Sequence, residues 1–367
     1  MESKRVLNEN IKTICLVLPT LQSGGMERVM SELANYFVSL GSISVHLVLH
    51  RGVNNQFYDI DHKVYVHVRK ERKENKIFQF FRTLWFIRTK VTEINPDAVL
   101  SFGIQWNNLL LLSLLGTKNK VFVSDRGSPI RKYEFPQMTL RKYLYPFSSG
   151  IIAQTEMANV LTTKMFPKLT INTIGNPINC FYNQSKINNK ENIILSIGRL
   201  IDSKHHINLI TIFSKLNAQG WKLIIVGGNS LKQNNYEKLK CLINNKGLEG
   251  KVILDGARKD VLSYYERSQI FAFTSSVEGF PNVVGEALSA GLPVVSYDCV
   301  AGPSEMITDG ANGFLVPVFD DELFRQRLQM LIDNEELRDE MGQKARESMK
   351  KFSVEEIGQQ YINFIFS

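Results

Sequence analysis

The sequence has no apolar run long enough to cross a membrane. The longest, Leu109 to Leu115, is interrupted by Ser113, and a bilayer-spanning helix needs roughly 18–20 apolar residues. The first residues, Met-Glu-Ser-Lys-Arg-Val, also lack the apolar core that a secretory signal requires. We therefore expect a cytoplasmic protein.

Cysteine is scarce and widely spaced. The four cysteines form no C-x-x-C pair, which argues against a disulfide framework and against a zinc site. The six histidines show no metal-ligand spacing either. Buried cysteines commonly act as small apolar side chains, and we expect this for those in apolar runs. The cysteines are Cys15, Cys180, Cys241 and Cys299.

Glycine-rich nucleotide motifs are missing as well. Ser23-Gly24-Gly25 is a glycine turn between a predicted strand and a predicted helix, but it matches neither G-x-G-x-x-G nor the P-loop pattern. An ATP or dinucleotide site is therefore not indicated. The turn can still bring a helix N-terminus close to a phosphate or an acceptor.

What is present is an alternation of apolar strands and amphipathic helices. A chain of 367 residues that is 44% hydrophobic suits two domains, and the alternation predicts a parallel α/β architecture. We predict two doubly wound, Rossmann-like domains facing across a cleft, at 1–183 and 184–350, with a helix at 351–367 packing back on the first. Predicted strands are 13–18, 44–49, 64–68, 98–102, 121–124, 150–154, 193–197, 222–226, 252–254, 270–274, 293–297 and 314–316; helices include 26–40, 76–93, 206–218, 282–290 and 352–366.

Two glutamates mark the clearest candidate ligand site. Glu278 lies in the loop after strand 270–274, and Pro281 begins a helix that carries Glu286. Ligands of parallel sheets bind at the carboxyl ends of the strands, and a helix N-terminus beside Gly279 offers N–H groups to phosphate. Because a carboxylate accepts paired hydrogen bonds from neighbouring hydroxyls, a ribose or hexose is the expected partner. The alternative is a solvated loop glutamate plus a glutamate that interacts with the helix dipole.

Two cations follow another strand. Arg199 comes directly after strand 193–197, and Lys204 stands at the start of the next helix. Such cations suit a diphosphate leaving group, because they stabilise the charge that develops on its phosphate in the transition state; ordinary surface charges are the alternative. Gly227-Gly228, after a third strand, permits close backbone approach or forms a plain turn.

Taken in order, five elements resemble retaining glycosyltransferase family 4, whose members have the two-domain GT-B fold. The resemblance covers nearly the whole chain. It implies a transferase of bacterial surface polysaccharides that retains anomeric configuration and needs no metal for its chemistry. The elements are Gly24-Gly25, Gly198-Arg199-Leu-Ile-Asp-Ser-Lys204, Val226-Gly-Gly228, the E-x7-E segment Glu278 to Glu286, and Gly313-Phe-Leu-Val316.

The resemblance also implies roles for individual residues. Arg199 and Lys204 would bind the donor diphosphate and Glu286 the nucleotide ribose. Glu278 and the backbone of 279–281 would meet the transferred sugar. The nucleotide base would meet loops near Gly256-Ala-Arg258. The full expected donor set is Gly24, Gly25, Arg199, Lys204, Gly227, Arg258, Glu278, Gly279, Phe280, Pro281, Asn282 and Glu286.

The chain departs from the family pattern at one place. Many relatives carry a histidine after the fourth strand of the first domain, facing the donor sugar, and here the stretch reads Ser124-Asp-Arg-Gly-Ser128. Asp125 or Arg126 takes that position, and Asp125 joins Glu278, Arg199 and Lys204 as a candidate catalytic residue. Candidate acceptor-binding residues are Arg126 and Arg131, with Lys132, Arg141 and Lys142 as further candidates.

A D-x-D pair, Asp59-Ile-Asp61, is a competing metal signal. In the other large glycosyltransferase fold such a pair chelates Mn²⁺ through the nucleotide phosphates. Here it precedes a short predicted strand and lacks that context. We expect a turn at this point, and no metal or other cofactor.

Positive charge is concentrated in the first half. Residues 1–180 carry 23 Lys/Arg against 13 Asp/Glu, and the remainder 21 against 23. Within 63–90, nine Lys/Arg are mixed with aromatic and apolar residues such as Phe78, Phe81 and Trp85. This mixture suits an anionic membrane surface, so we expect peripheral contact through 69–90 at the inner face of the cell membrane. The alternative is an ordinary basic helix whose aromatics face the core. No nucleic-acid module is recognisable.

These observations favour one function over two others. The first is a retaining glycosyltransferase (a hexosyltransferase) that moves a hexose or N-acetylhexosamine from a UDP-sugar to a lipid-diphosphate-linked saccharide, in O-antigen, capsule or exopolysaccharide synthesis. The alternatives are a sugar-nucleotide epimerase or hydrolase of the same fold, which would turn over without acceptor, and a silent module that binds nucleotide only.

Overall fold

The computed structural model describes residues 11–22, 24–51, 57–70, 75–178, 190–230 and 233–367. The chain forms two compact units. The first comprises Met1–Pro177 together with Val354–Ser367, and the second comprises Ile178–Ser353. The boundary predicted at 183/184 lies outside the described residues.

The first unit is built on a seven-stranded parallel sheet with the order β3-β2-β1-β4-β5-β6-β7. The central strands are nearly continuous runs of buried apolar residues, as expected of a parallel sheet that is covered on both faces. The strands are β1 (Lys12–Leu18), β2 (Ile43–Leu49), β3 (Tyr65–Val68), β4 (Ala98–Phe102), β5 (Val121–Ser124), β6 (Gly150–Ala153) and β7 (Ile171–Thr173).

Within the residues that the structure describes, five α-helices connect these strands. Two have side-chain caps at their N-termini: the Asn75 side chain accepts from the Phe78 amide, and the Thr155 hydroxyl accepts from the Ala158 amide. The helices are α1 (Gly25–Ser39), α2 (Lys76–Ile94), α3 (Ile104–Leu114), α4 (Gln137–Leu144) and α5 (Glu156–Met165).

The second unit has a six-stranded parallel sheet with the order β10-β9-β8-β11-β12-β13. The sequence order of the strands reverses between β8 and β11, which are neighbours at the centre of the sheet. Because these two strands are parallel, the loops that follow them leave the same edge of the sheet. Ligands of such sheets bind at this kind of switch point. The strands are β8 (Ile193–Ile197), β9 (Lys222–Val226), β10 (Val252–Leu254), β11 (Ile270–Phe273), β12 (Val294–Tyr297) and β13 (Gly313–Val316).

Helices cover this second sheet and bury its core. Phe324 and Leu328 of one helix are fully buried among strand residues such as Phe314. The helices are α6 (His206–Phe213), α7 (Tyr236–Asn245), α8 (Leu262–Arg267), α9 (Asn282–Ser289), α10 (Pro303–Met306), α11 (Asp321–Asp333) and α12 (Glu335–Ser348).

The last helix, α13 (Val354–Ile365), belongs to the first unit. Its Tyr361 and Ile365 are buried, and Phe364 lies against Phe122 of β5, with ring centroids 5.5 Å apart. A side chain at Gly358 would collide with the Tyr36 ring of α1, since a Cβ there would lie 2.2 Å from it. The helix therefore packs tightly on α1 and the sheet.

The prediction of two parallel α/β domains is confirmed, and all twelve predicted strands are present. The helix predicted at 206–218 was too long, because α6 ends at Phe213 and the chain continues in single turns. Leu216 and Ala218 still pack on the core, so the apolar spacing extends beyond the helix. Among the described residues, no helix combines the length and apolarity needed to cross a bilayer.

Candidate functional site

Two loops at the carboxyl edge of the second sheet are held together by hydrogen bonds. The Thr274 hydroxyl donates to the Lys204 carbonyl at 2.8 Å, and the Ser276 amide donates to the Ser203 carbonyl at 3.0 Å. A third contact joins the His205 ring nitrogen Nε2 and the Ser276 hydroxyl at 2.8 Å. The loop after β8 is thus fixed against the loop after β11.

This arrangement brings Lys204 and Glu278 together. The Lys204 Nζ donates to Glu278 Oε1 at 2.5 Å, and both side chains are only about one-sixth exposed (16% and 15%). The ammonium also lies 4.9 Å from the centroid of the Phe273 ring, a cation–π arrangement. An ammonium has three N–H donors, so the bond to Glu278 leaves Lys204 able to donate to a ligand oxygen.

Glu286 lies on the buried face of α9. It is 5% exposed, and the Tyr265 hydroxyl donates to its Oε2 at 2.8 Å. The two glutamates of the E-x7-E segment therefore have different protein partners. Tyr265, which positions this carboxylate, could not be identified from spacing, since it lies 21 residues earlier in a different helix.

Gly227 allows the loops after β8 and β9 to approach each other. A Cβ at this position would lie 1.8 Å from the Gly198 carbonyl oxygen, which no side chain can tolerate. Hydrogen bonds hold both backbones in place: the Gly198 amide donates to the Val226 carbonyl at 3.0 Å, and the Gly227 amide to the Gly256 carbonyl at 2.7 Å. The structure thus shows a close backbone contact at Gly227, and donor binding by this glycine stays a prediction.

Pro281 and Gly302 are similarly in close contact. Gly302 has a φ of +113°, which side chains rarely adopt, and a Cβ there would lie 2.1 Å from Pro281 Cδ. Pro281 directly precedes α9, which begins at Asn282. Phe280 is buried against Phe352, with ring centroids 5.9 Å apart. Phe280 and Pro281, directly before α9, are thus held by their packing.

Two other predicted donor residues lie at the surface. Arg199 and Arg258 are both exposed. The Arg258 guanidinium pairs with Asp255 at 2.5 Å, and the Tyr264 hydroxyl donates to the same carboxylate. These contacts lower the pKa of Asp255, first through the bond from Tyr264. Arg258 is therefore positioned by a neighbouring acid in its own loop.

The glycine turn of the first unit is held by a tyrosine. The Gly24 amide donates to the Tyr58 hydroxyl at 3.2 Å, and that hydroxyl donates to the Gly24 carbonyl at 3.0 Å. Gly25 is the first residue of α1. The turn thus stands at a helix N-terminus, as predicted, and Tyr58 is a positioning residue that no sequence motif reveals.

Asp125 accepts hydrogen bonds from three protein groups. Arg141 reaches its Oδ2 at 2.9 Å, Asn107 reaches Oδ1 at 3.3 Å, and the Tyr145 hydroxyl donates to Oδ1. Burial, followed by the Asp125 charge, raises the pKa of Tyr145 well above its usual value, so the hydroxyl keeps its proton. The catalytic role of Asp125 stays a prediction. Arg141, a further acceptor candidate, is buried and forms an ion pair with Asp125.

The Arg126 side chain is bound by other side chains of the first unit. Its guanidinium donates to the Asn176 side chain and to the Tyr361 hydroxyl, each at 2.5 Å, and lies 3.3 Å from the centroid of the Phe102 ring. Burial lowers the pKa of Arg126, and Tyr361 opposes that shift. Arg131 is exposed above the Tyr133 ring, at 5.0 Å from its centroid. Acceptor binding by either arginine stays a prediction.

The D-x-D pair leads into a turn that begins at Asp61. The Val64 amide donates to the Asp61 carbonyl at 3.0 Å, and the Asn35 side chain bonds to the backbone of both Asp59 and Asp61. Within the described part of the chain, no group of three or more His, Cys, Asp or Glu side chains could hold a metal ion.

The chain is similar to known proteins over both units. Residues 181–348 match the family described as Glycosyl transferases group 1. The whole chain is similar to the amylovoran biosynthesis glycosyltransferase AmsD of Erwinia amylovora, at 29% identity over 94% of this chain and 96% of the relative. The family match and this relative support a GT-B glycosyltransferase of the bacterial polysaccharide type. The GT-B fold predicted from the sequence is confirmed.

Two further proteins resemble this glycosyltransferase over almost their full length. One is a Campylobacter jejuni enzyme named GalNAc-α-(1→4)-GalNAc-α-(1→3)-diNAcBac-PP-undecaprenol α-1,4-N-acetyl-D-galactosaminyltransferase, at 25% identity over 96% of this chain and 98% of the relative. The other is the crystal structure of Anabaena Alr3699/HepE in complex with UDP. Its TM-score is 0.81 at 18% identity, covering 97% of this chain and 99% of that one, so this likeness concerns the fold.

Proposed function

We propose that the glycosyltransferase moves a hexose or N-acetylhexosamine from a UDP-sugar to a lipid-diphosphate-linked saccharide, with retention of anomeric configuration. The observation that carries the proposal is the paired Lys204 and Glu278 at the switch point of the second sheet, next to the helix that carries the buried Glu286. A cation, a carboxylate and a helix N-terminus at one sheet edge suit a diphosphate joined to hydroxyl-bearing rings.

In the proposed reaction each group has a distinct task. Lys204 and Arg199 donate to the donor diphosphate and stabilise the negative charge that grows on it as the sugar leaves. Glu286 accepts hydrogen bonds from the ribose hydroxyls, and Tyr265 holds that carboxylate in place. Glu278 and the backbone before α9 contact the transferred sugar.

The relatives support the choice of donor and acceptor. The Anabaena protein was crystallised with UDP, which favours a uridine nucleotide. The Campylobacter enzyme is named for a saccharide joined through a diphosphate to undecaprenol, which favours an acceptor of that class. An epimerase or hydrolase of the same fold is the alternative function.

The proposal is tested by incubating the purified protein with a panel of labelled UDP- and GDP-sugars, with and without a lipid-linked saccharide extract. We expect label to enter the lipid fraction from a UDP-sugar only when acceptor is present. Turnover of the donor without acceptor would instead establish an epimerase or hydrolase.

Replacing Glu286 should weaken donor binding. Glu286→Gln keeps the size of the side chain but removes the charge, and a hydrogen bond to a charged group contributes about 1.5–3 kcal/mol. We expect KM for the donor to rise roughly 10- to 100-fold, measured in the transfer assay. Tyr265→Phe is the matched control, because it removes the hydroxyl that reaches Glu286 but keeps the carboxylate; its effect should be several-fold at most. Equal KM values for Glu286→Gln and wild type would exclude ribose binding by Glu286.

The outer face of α2 supports membrane contact, which we also propose. Ile77, Phe78, Phe81 and Trp85 are exposed, between 62% and 69%. The alternative that these aromatics face the core is therefore wrong. Basic residues on the same helix include Lys76 and Arg82. Such a face suits an anionic lipid surface, with apolar side chains inserted and cations near the headgroups.

Removing the exposed aromatics should release the protein from lipid. Phe78→Ser, Phe81→Ser and Trp85→Ser together should lower partitioning into phosphatidylglycerol vesicles at least about tenfold, since each large side chain buried contributes about 1.5–3 kcal/mol. Vesicle sedimentation measures this. The control is Met157→Ser with Val160→Ser, which removes apolar residues from α5 that are about half exposed (45% and 49%). If both variants sediment like the wild type, α2 is not the contact.

A further inference from the structure

His205 has a backbone conformation that residues with a side chain rarely adopt. Its φ is +48° and its ψ is 41°, which lies in the left-handed region, where a Cβ crowds the following carbonyl oxygen. The residue directly follows Lys204 and joins the single helical turn Asp202–Lys204 to α6. Glycine takes this conformation without strain, so a side chain at this joint must be held by contacts that offset the strain.

Two contacts hold the ring of His205. Its Nε2 lies 2.8 Å from the Ser276 hydroxyl, within hydrogen-bonding distance. The Phe319 ring meets it at right angles, with ring centroids 4.9 Å apart and an interplanar angle of 89°. Phe319 is itself left-handed, with a φ of +71°, and its ring also contacts the Tyr297 ring. Two strained residues of the second unit thus support each other.

The bond from His205 connects the loops that carry Lys204 and Glu278. His205 is one residue after Lys204, and Ser276 is two residues before Glu278. The Lys204 ammonium donates to Glu278 at 2.5 Å, so each member of this ion pair is next to one end of the His205–Ser276 bond. The Thr274 hydroxyl fixes the backbone carbonyl of Lys204, and His205 adds a bond between side chains of the two loops.

The His205 ring contributes contact rather than charge. Burial lowers the pKa of the ring, and the charges of Asp202 and Asp321 oppose that shift without reversing it. Because the ordinary pKa of histidine is already below neutrality, the imidazole is uncharged at neutral pH. An uncharged ring adds no positive charge beside Lys204. An effect of His205 on catalysis therefore acts through the placement of its neighbours.

We propose that His205 is a positioning residue that fixes the Lys204 ammonium against Glu278. A lysine side chain is a flexible four-carbon stem, so an ammonium that must meet a developing charge depends on a fixed backbone at its base. The contacts with Ser276 and Phe319 keep the peptide after Lys204 in one orientation, because both would be lost if it turned. The inference rests on the proposed function, in which Lys204 stabilises the charge of the leaving diphosphate.

Two substitutions separate the bond to Ser276 from the backbone conformation. Asparagine tolerates the left-handed region, but in His205→Asn the shorter amide ends before the position of Nε2. His205→Gln places an amide nitrogen near that position and restores the bond. We expect His205→Asn to lower kcat for sugar transfer roughly tenfold and to change KM for the donor less than about threefold, since Arg199 and Glu286 still hold the donor. His205→Gln should keep kcat within about threefold of the wild type.

Combined variants test whether the effect passes through Ser276 and Lys204. Ser276→Ala removes the same bond from the other loop, so it should lower kcat as much as His205→Asn, and the double variant should lose no more than either alone. In a Lys204→Met background, His205→Asn should have no further effect, because the ammonium that it positions is absent. Additive losses in the double variant, or a further tenfold loss in the Lys204→Met background, would overturn the inference.

Melting temperatures distinguish positioning from a merely structural role. His205→Asn should melt within about 3 °C of the wild type, because asparagine adopts the same backbone conformation more readily. Asn95→Gly is the matched control, since Asn95 is the left-handed residue that ends α2 in the first unit, and it should leave kcat unchanged. A loss of activity that follows unfolding in both His205 variants, without rescue by glutamine, would show a structural role instead.

The wild-type enzyme separates this inference from the proposed function. Transfer by the wild type that His205→Asn and Ser276→Ala both match would contradict the positioning role and leave the donor site standing. Absence of transfer from every UDP-sugar by the wild type would instead contradict the proposed function, on which the inference rests.

Discussion

Replacing Lys204 with methionine should lower kcat for sugar transfer by about 10²–10³-fold. Methionine keeps most of the length of the side chain and its packing on Phe273 but removes the ammonium. Groups that stabilise developing charge in the transition state typically contribute this much. Steady-state kinetics with the donor found by the sugar screen measures the effect, and Lys204→Arg, which keeps a cation, should recover part of the activity.

A second variant decides whether that loss is electrostatic or structural. Lys204→Met leaves Glu278, which is only 15% exposed, without its cation, and an unpaired buried charge is destabilising. The double variant Lys204→Met with Glu278→Gln removes both charges and should restore the melting temperature towards that of the wild type, while activity stays low. Recovery of activity in the double variant would mean that Lys204 serves only to neutralise Glu278.

Gly227→Ala should destabilise the second unit by about 3 kcal/mol or more. Overpacking a tight site generally costs about 1–3 kcal/mol, and here the new Cβ would lie 1.8 Å from a backbone oxygen rather than from a side chain that can rotate. Either the loop carrying Gly198 and Arg199 or the turn after β9 must move. Donor affinity should therefore fall together with stability.

Urea unfolding followed by Trp221 fluorescence measures this cost. The other two tryptophans, Trp85 and Trp106, are in the first unit, so changing both to phenylalanine isolates the signal of the second unit. Gly228→Ala is the matched control, since its Cβ would meet Ala257 Cβ at 3.3 Å, a contact that a small shift can relieve. Similar unfolding midpoints for the two variants would show that the turn tolerates a side chain.

Much of the fold was predictable because parallel strands are buried on both faces. Strands such as 193–197 and 270–274 are mostly apolar runs, each with a single hydroxyl residue, and turn residues separate them from the helices. Strand β7 was missed because its three residues, Ile171–Thr173, are only partly buried or exposed and leave no apolar run. The end of α6 was misplaced because Leu216 and Ala218 continue the apolar spacing beyond the last helical turn.

Parts of the candidate site were beyond sequence reasoning for a different reason. Lys204 and Glu278 were each singled out by local pattern, but their direct contact joins residues 74 positions apart. The contacts made by Asp125 and Arg126 depend on residues such as Tyr145 and Tyr361, which come from other elements. Spacing within a segment carries no information about such partners, whereas the topology of the sheet does.

A cavity in the first unit likewise combines charged residues that no local sequence pattern groups together. Arg51, Arg69 and Lys76 are spread over two strand ends and a helix, so the sequence shows them only as part of a general excess of positive charge. The parallel pairing of β2 with β3 places the ends of these strands side by side. Positive charges that are far apart in the sequence therefore lie around one cavity in the folded unit.

The position of α13 has a consequence for synthesis of the chain. Residues 354–367 complete the first unit, but they follow the entire second unit in sequence. The second unit can fold as it leaves the ribosome. In contrast, β5 and α1 of the first unit gain their contacts with Phe364 and Gly358 only after α13 has been synthesised. During that interval the nascent first unit exposes the apolar surface that α13 later covers.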